Sequence, residues 1–120
     1  MQINNWNENR INSTIELNLL KSCLEGLEKD LSDAQLNMSM HERGIQGMDY
    51  VINALTSSET LNSDSIAYKL SDAMIATYFV HSTSAFETIK AKGVNIISND
   101  TLRDQIIEVY DSRYNFFLQF

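Results

Sequence analysis

Residues 17–31 read LNLLKSCLEGLEKDL, which sets leucine at 17, 20, 24, 27 and 31 in alternating steps of three and four. Carried outward, the same count meets Ile3, Trp6, Arg10 and Ser13 on one side. On the other it meets Ala34, Met38, His41, Ile45, Met48, Ile52 and Leu55. Thirteen of these sixteen positions are apolar, and the phase never slips. An apolar stripe at that spacing is the seam of a helix packed nearly parallel to its neighbours, as in a coiled coil or a long bundle. It predicts one helix over about 3–55, a rod of about 80 Å at roughly 1.5 Å per residue. Gly44 and Gly47 weaken that helix by about 1 kcal/mol each relative to alanine, but the register continues through them.

The composition agrees with helix. Four glycines and no proline in 120 residues disfavour a turn-rich β-sandwich or barrel. The length fits one domain, 1–120, and a hydrophobic content of 43% fills one modest core. Nine basic against sixteen acidic residues, a net charge of −7, argue against a nucleic-acid partner, which needs clustered positive charge. The single cysteine, Cys23, excludes an internal disulfide and a thiolate zinc cage. No window approaches the ~18 consecutive apolar residues of a membrane span.

Beyond Leu55 the apolar period lapses, and 56–63 reads as a loop. Asp64 or Ser65 is placed to cap a helix over about 65–80, with Ile66, Leu70, Ala73, Thr77 and Val80 on one stripe. Ser84 and Glu87 have capping-box spacing at the start of a helix over 84–92. Lys90, Lys92 and then Gly93 form a helix C-terminus signature. Ser98 or Asn99 caps a last helix over about 99–118, with Asp100 in its dipole-positive first turn. Leu102, Ile106, Val109, Arg113, Phe116 and Phe120 make its stripe. The expected fold is all-α: an elongated antiparallel bundle with one very long N-terminal helix and two to three shorter ones.

The shorter helices cannot cover the rod. If the chain turns back at 56–63, residues 66–118 pack against the half of the long helix nearer Leu55. Leu17, Leu20, Leu24 and Leu27 are then left facing water, and a leucine stripe of that size calls for a cover. A symmetric homodimer through these four residues is the commonest solution.

Chemistry-bearing residues are sparse. No H-x-x-x-H or E-x-x-H spacing surrounds His41 or His81, so no metal site is expected, and His41 reads as a polar layer in the seam. Cys23 reads as a surface-flanking thiol with no histidine near it in sequence. No phosphate-cradling glycine loop occurs. The acidic run Glu25, Glu28, Asp30 and Asp33 reads as a solvated face. Aromatic residues between 78 and 120 read as core. The alternative is a ligand cavity among Tyr78, Tyr110 and Arg113. No enzyme activity and no cofactor are expected.

Two stretches carry a resemblance. Gln2-Ile3-Asn4-Asn5-Trp6-Asn7-Glu8 with Arg10 is the first. The second is Ser84-Ala85-Phe86-Glu87-Thr88-Ile89-Lys90-Ala91-Lys92-Gly93 with Ile96-Ile97-Ser98-Asn99-Asp100 and Leu102-Arg103. Together they resemble a domain-of-unknown-function family of single-span Bacteroidota membrane proteins, in which Phe86 stands where tyrosine is frequent. The resemblance implies a basic N-terminus and a membrane helix ahead of residue 1, further helical chain after Phe120, and a periplasmic setting by the positive-inside rule. Glu87, Asn99, Asp100 and Arg103 are its motif positions, read as caps and packing residues, with a ligand role as the alternative. The expectation that results is a non-enzymatic, membrane-tethered, self-associating helical module, with another envelope protein as a second possible partner. The competing class is an extracytoplasmic sensor bundle that binds a small ligand between helices.

Overall fold

The computed structural model describes residues 2–57 and 62–119, with side chains from Asn4 onward. Every regular element among the described residues is helical: α1 (Gln2–Thr56), α2 (Ser63–Ala73), α3 (Ser84–Lys92), a single 3-10 turn (Val94–Ile96), α4 (Asp100–Ile107), a π-helical stretch (Glu108–Arg113) and α5 (Tyr114–Phe117). The fold is all-α, and its first helix is the unbroken one that the leucine count requires. The expected loop at 56–63 falls largely on 58–61, outside the described residues. Phe120, the last residue of the expected terminal stripe, lies outside them too.

Contacts divide the chain, expected from its length to form one domain, into two compact units, Met1–Asp30 with His81–Phe120, and Leu31–Val80. In the first unit, Leu19 and Cys23 of α1 pack with Phe86 and Ile89 of α3, Ile97, Ile106 of α4 and Tyr110. Ile89 and Ile97 are the most deeply buried, at 1% and 0% exposure. α3 ends as its sequence requires: Gly93 has φ +95°, a left-handed conformation in which a Cβ is strained. Asn99 caps α4 by accepting from the Leu102 amide at 2.9 Å. The capping box at α3 does not form. Thr83 is the residue before the helix and makes no side-chain cap bond, while Glu87 pairs forward with Lys90 at 2.8 Å.

This core overturns the expected packing. Residues 81–119 sit on the N-terminal part of α1, not on the part nearer Leu55. Leu20 and Leu27 are half-buried against that core, whereas Leu17 and Leu24 stay exposed, at 52% and 56%. Cys23 is only 2% exposed, the reverse of a surface-flanking thiol.

The face of α1 that turns inward is Glu16, Leu19, Cys23, Gly26 and Asp30, one residue ahead of the apolar count at each step. Two physical features select it. A Cβ on Gly26 would stand 3.3 Å from Ser82 Cβ, so glycine admits the returning chain. The carboxylates of Glu16 and Asp30 accept backbone N–H groups that the returning loops would otherwise leave unmet: Ser98 at 2.8 Å and Ser82 at 2.9 Å.

The terminal helix departs from its expected stripe for a related reason. Ile106, Tyr110 and Tyr114 turn inward, in two steps of four, with Val109 half-buried beside them, whereas Arg113 and Phe116 of the expected stripe are exposed. Two successive steps of four outrun the 3.6-residue turn, and the π stretch at 108–113 supplies the slack.

In the second unit α2 lies on α1 where Gly44 and Gly47 open the surface. A Cβ on Gly47 would approach Lys69 O to 2.5 Å, and one on Gly44 would approach Asp72 O to 3.3 Å. The glycines are therefore the seat of α2 as well as weak points of α1. Asn62, not Asp64 or Ser65, caps α2, accepting from the Asp64 and Ser65 amides at 3.0 and 3.2 Å. α2 stops at Ala73, seven residues short of the expected end. Ile75-Ala76-Thr77-Tyr78-Phe79-Val80 is rich in β-branched and aromatic side chains, which lose χ1 freedom in a helix. These residues alternate half-buried and exposed, the two-residue period of extended chain. Thr77 Oγ1 meets His41 Nε2 at 2.9 Å and the Val80 amide faces Asp33 Oδ2 at 3.4 Å. From Thr77 to Val80 extended chain advances about 10 Å, close to the ~12 Å of helix between His41 and Asp33. A helical 77–80 would cover less than half of that.

Candidate interaction surface

Three groups of residues carry the functional expectations, and the structure treats them differently. The motif residues are absorbed locally. Glu87 binds Lys90, and the resulting hydrogen bond holds the Lys90 ammonium above its ordinary pKa. Asn99 caps α4. Asp100 pairs with Arg103 at 2.8 Å, and Arg103 also donates to the Ile97 carbonyl at 3.3 Å. These four side chains secure the α3–α4 corner of the first unit.

The three residues of the alternative ligand cavity differ in burial and partners. Tyr78 is 84% exposed in the second unit, Tyr110 is buried in the first, and Arg113 turns outward to Glu108 at 2.7 Å. A shallow depression of about 380 Å³ in the second unit is lined by Tyr50, Asn62, Asp64, Ser65, Tyr68 and Lys69, none of that trio. Among the described residues no group of three or more His, Cys, Asp or Glu is placed to hold a metal ion. No helix of the described residues is long and apolar enough to cross a membrane.

A polar node in the first unit escaped sequence reading. Asp30, 3% exposed, accepts from the Ser82 amide on both oxygens at 2.9 and 3.0 Å, and from Tyr114 Oη at 2.8 Å. Tyr114 stands edge-on to Tyr110 at 5.3 Å, and Tyr110 stacks on Phe86 at 4.6 Å. Burial, then the bond to Asp30, pushes the Tyr114 phenol well above its usual range. Burial also raises Tyr110, to about 12, with smaller contributions from Cys23 and Asp30. Among the described residues the Tyr110 hydroxyl is buried without a hydrogen-bond partner. Burial pushes the Cys23 thiol up as well, which keeps it protonated and a poor nucleophile. No sequence signal marks Asp30 apart from the acidic residues around it, since an inward carboxylate and a solvated one read alike.

The apolar count that opened the reading is what remains on the surface. Because the inward face of α1 runs one residue ahead of it, the stripe itself is turned roughly a quarter-turn away from the covering elements. In the second unit Leu31, Met38, Ile45, Met48, Ile52 and Leu55 are 60%, 63%, 63%, 44%, 51% and 69% exposed. The stretch expected to be covered is the open one, and the signal for it was the same heptad count.

No family model, no curated protein and no solved structure matches the chain.

Proposed function

We propose that this chain is a non-enzymatic helical association module that self-associates through α1. In this reading it works at the periplasmic face of a membrane, tethered by the N-terminal span that the resemblance to Bacteroidota single-span proteins implies. One observation carries the reading: the seam of the longest helix is left open by the fold that surrounds it. Burial of large aliphatic side chains is worth about 1.5–3 kcal/mol each, so a continuous row of them in water favours association. The binding face has moved relative to the sequence expectation. Leu17 and Leu24 remain available to a partner, whereas Leu20 and Leu27 already contribute to the core.

Sedimentation velocity across a concentration series tests the association. The expected result is a mass that rises above the monomer by tens of micromolar. A monomer throughout that range overturns self-association and leaves another envelope protein as the occupant. Fractionation of native cells tests the setting: recovery with membranes, in a form accessible from the periplasm, is expected, and recovery in the cytosol overturns it.

A further inference from the structure

Resting on that reading, we propose that the seam in the second unit pairs with the same seam of a second copy as a two-stranded, parallel, in-register coiled coil. Four observations select this occupant and this direction.

The first is spacing. Leu31, Met38, Ile45 and Ile52 recur at intervals of seven, with His41, Met48 and Leu55 three residues after the last three of them. A partner whose side chains interlock with these over more than three turns must carry the same repeat, and a second copy does. The second is area. At about half to two-thirds exposure, the six large side chains present on the order of 600 Å², the upper end of what a monomer leaves in one patch. With its flanks the stripe comes close to the roughly 800 Å² per partner that a stable complex buries.

The third is side-chain shape. Ile45 and Ile52, at two of the four leading positions, are β-branched, and Met48 and Leu55 at the trailing positions that follow them are not. That arrangement favours two parallel strands over three or four.

The fourth is what each direction places face to face. In the parallel arrangement every exposed member of the stripe meets its own copy. The outer flank, Glu42 and Asp49, then runs along the side of the other strand that carries Asn37 and, at Gly44, the seat of α2, so Glu42 does not face its own copy. The antiparallel arrangement of greatest overlap sets Ile52 against Ala34, which its own chain already half-buries, and Glu42 against Glu42 at the symmetry axis. Parallel pairing avoids both.

The test uses the full chain with Leu31→Cys and Leu55→Cys as separate variants. Cys23 is buried and does not compete for cross-linking. Under mild oxidation each variant is expected to form a disulfide with itself. Cross-links only in a mixture of the two variants overturn the parallel direction while leaving self-association standing. A sedimentation mass of a trimer or larger overturns the two-stranded form. Ile45→Asp combined with Ile52→Asp, both on exposed positions, is expected to weaken the dimer at least about 100-fold with unchanged helical circular dichroism. A dimer unmoved by that pair of changes overturns this surface. A wild-type monomer at tens of micromolar overturns the association itself.

Discussion

The two units are built on one helix but solve different problems. In the first, seven apolar residues are buried among the described ones, from Leu19 to Tyr110, and the acids of α1 turn inward to hold loop amides. In the second, Val51 is the buried apolar residue among the described ones, joined by Gly47 and by Asp72, whose carboxylate binds Arg43 at 2.6 Å. Leu31, Met38, Ile45, Ile52 and Leu55 of its α1 stretch are each more than half exposed. The first unit holds itself together by hydrophobic burial. The second is a close backbone contact between two helices, with its apolar surface directed at solvent. The same repeat is therefore half-buried at Leu20 and Leu27 in the first unit and exposed at Leu31, Met38, Ile45, Ile52 and Leu55 in the second, depending on how much chain returns to cover it.

The sharpest break between them is a pair of truncations. Phe86→Ala removes a side chain 2% exposed together with its stack on Tyr110, and should cost about 3–5 kcal/mol in chemical denaturation. Met38→Ala, at 63% exposure, should change the monomer by less than about 0.5 kcal/mol while weakening association. Equal costs for the two would erase the distinction between the units.

A mid-sized effect belongs to the second unit alone. Gly47→Ala adds a methyl that collides with Lys69 O, so α2 must shift, at about 1–3 kcal/mol against a helix-propensity gain of about 1 kcal/mol. Faster amide exchange confined to 63–73 is the expected readout, with the α3–α4 core unchanged.

The smallest effect has the opposite sign. Tyr110→Phe deletes a hydroxyl that has no partner while keeping the ring on Phe86, and should stabilise the first unit by about 1 kcal/mol. The same substitution tests a pH dependence. The Tyr110 phenol titrates near 12 in the fold and near its ordinary 10 when unfolded, so its contribution is complete below pH 10 and is lost as pH rises through about 12. The alkaline loss of stability should be smaller in Tyr110→Phe, and an unchanged alkaline limb would remove Tyr110 as its source.

Much of the helix layout was legible because it depends on local chemistry. The leucine count located α1 to within a residue or two, Gly93 stopped α3, and Asn99, one of two candidate caps, capped α4. The end of α2 was missed because an apolar stripe over 66–80 outweighed the poor helix propensity of Ile75–Val80. The inward face of α1 was missed because periodicity ranks positions by hydrophobicity. Gly26, Gly44 and Gly47 are selected by lack of volume, and Asp30 and Glu16 by the amides they accept. None of those criteria has an apolar signature.

LNLLKSCLEGLEKDL and its continuation determine by themselves that this chain makes a long helix with a seam, because side-chain period and backbone geometry are local properties. Which side of that helix the chain covers is a tertiary outcome. It follows from where a returning backbone can approach closely and find acceptors for its N–H groups. Those two requirements lie one residue out of phase with the leucines, and that single step leaves the seam of the second unit facing outward.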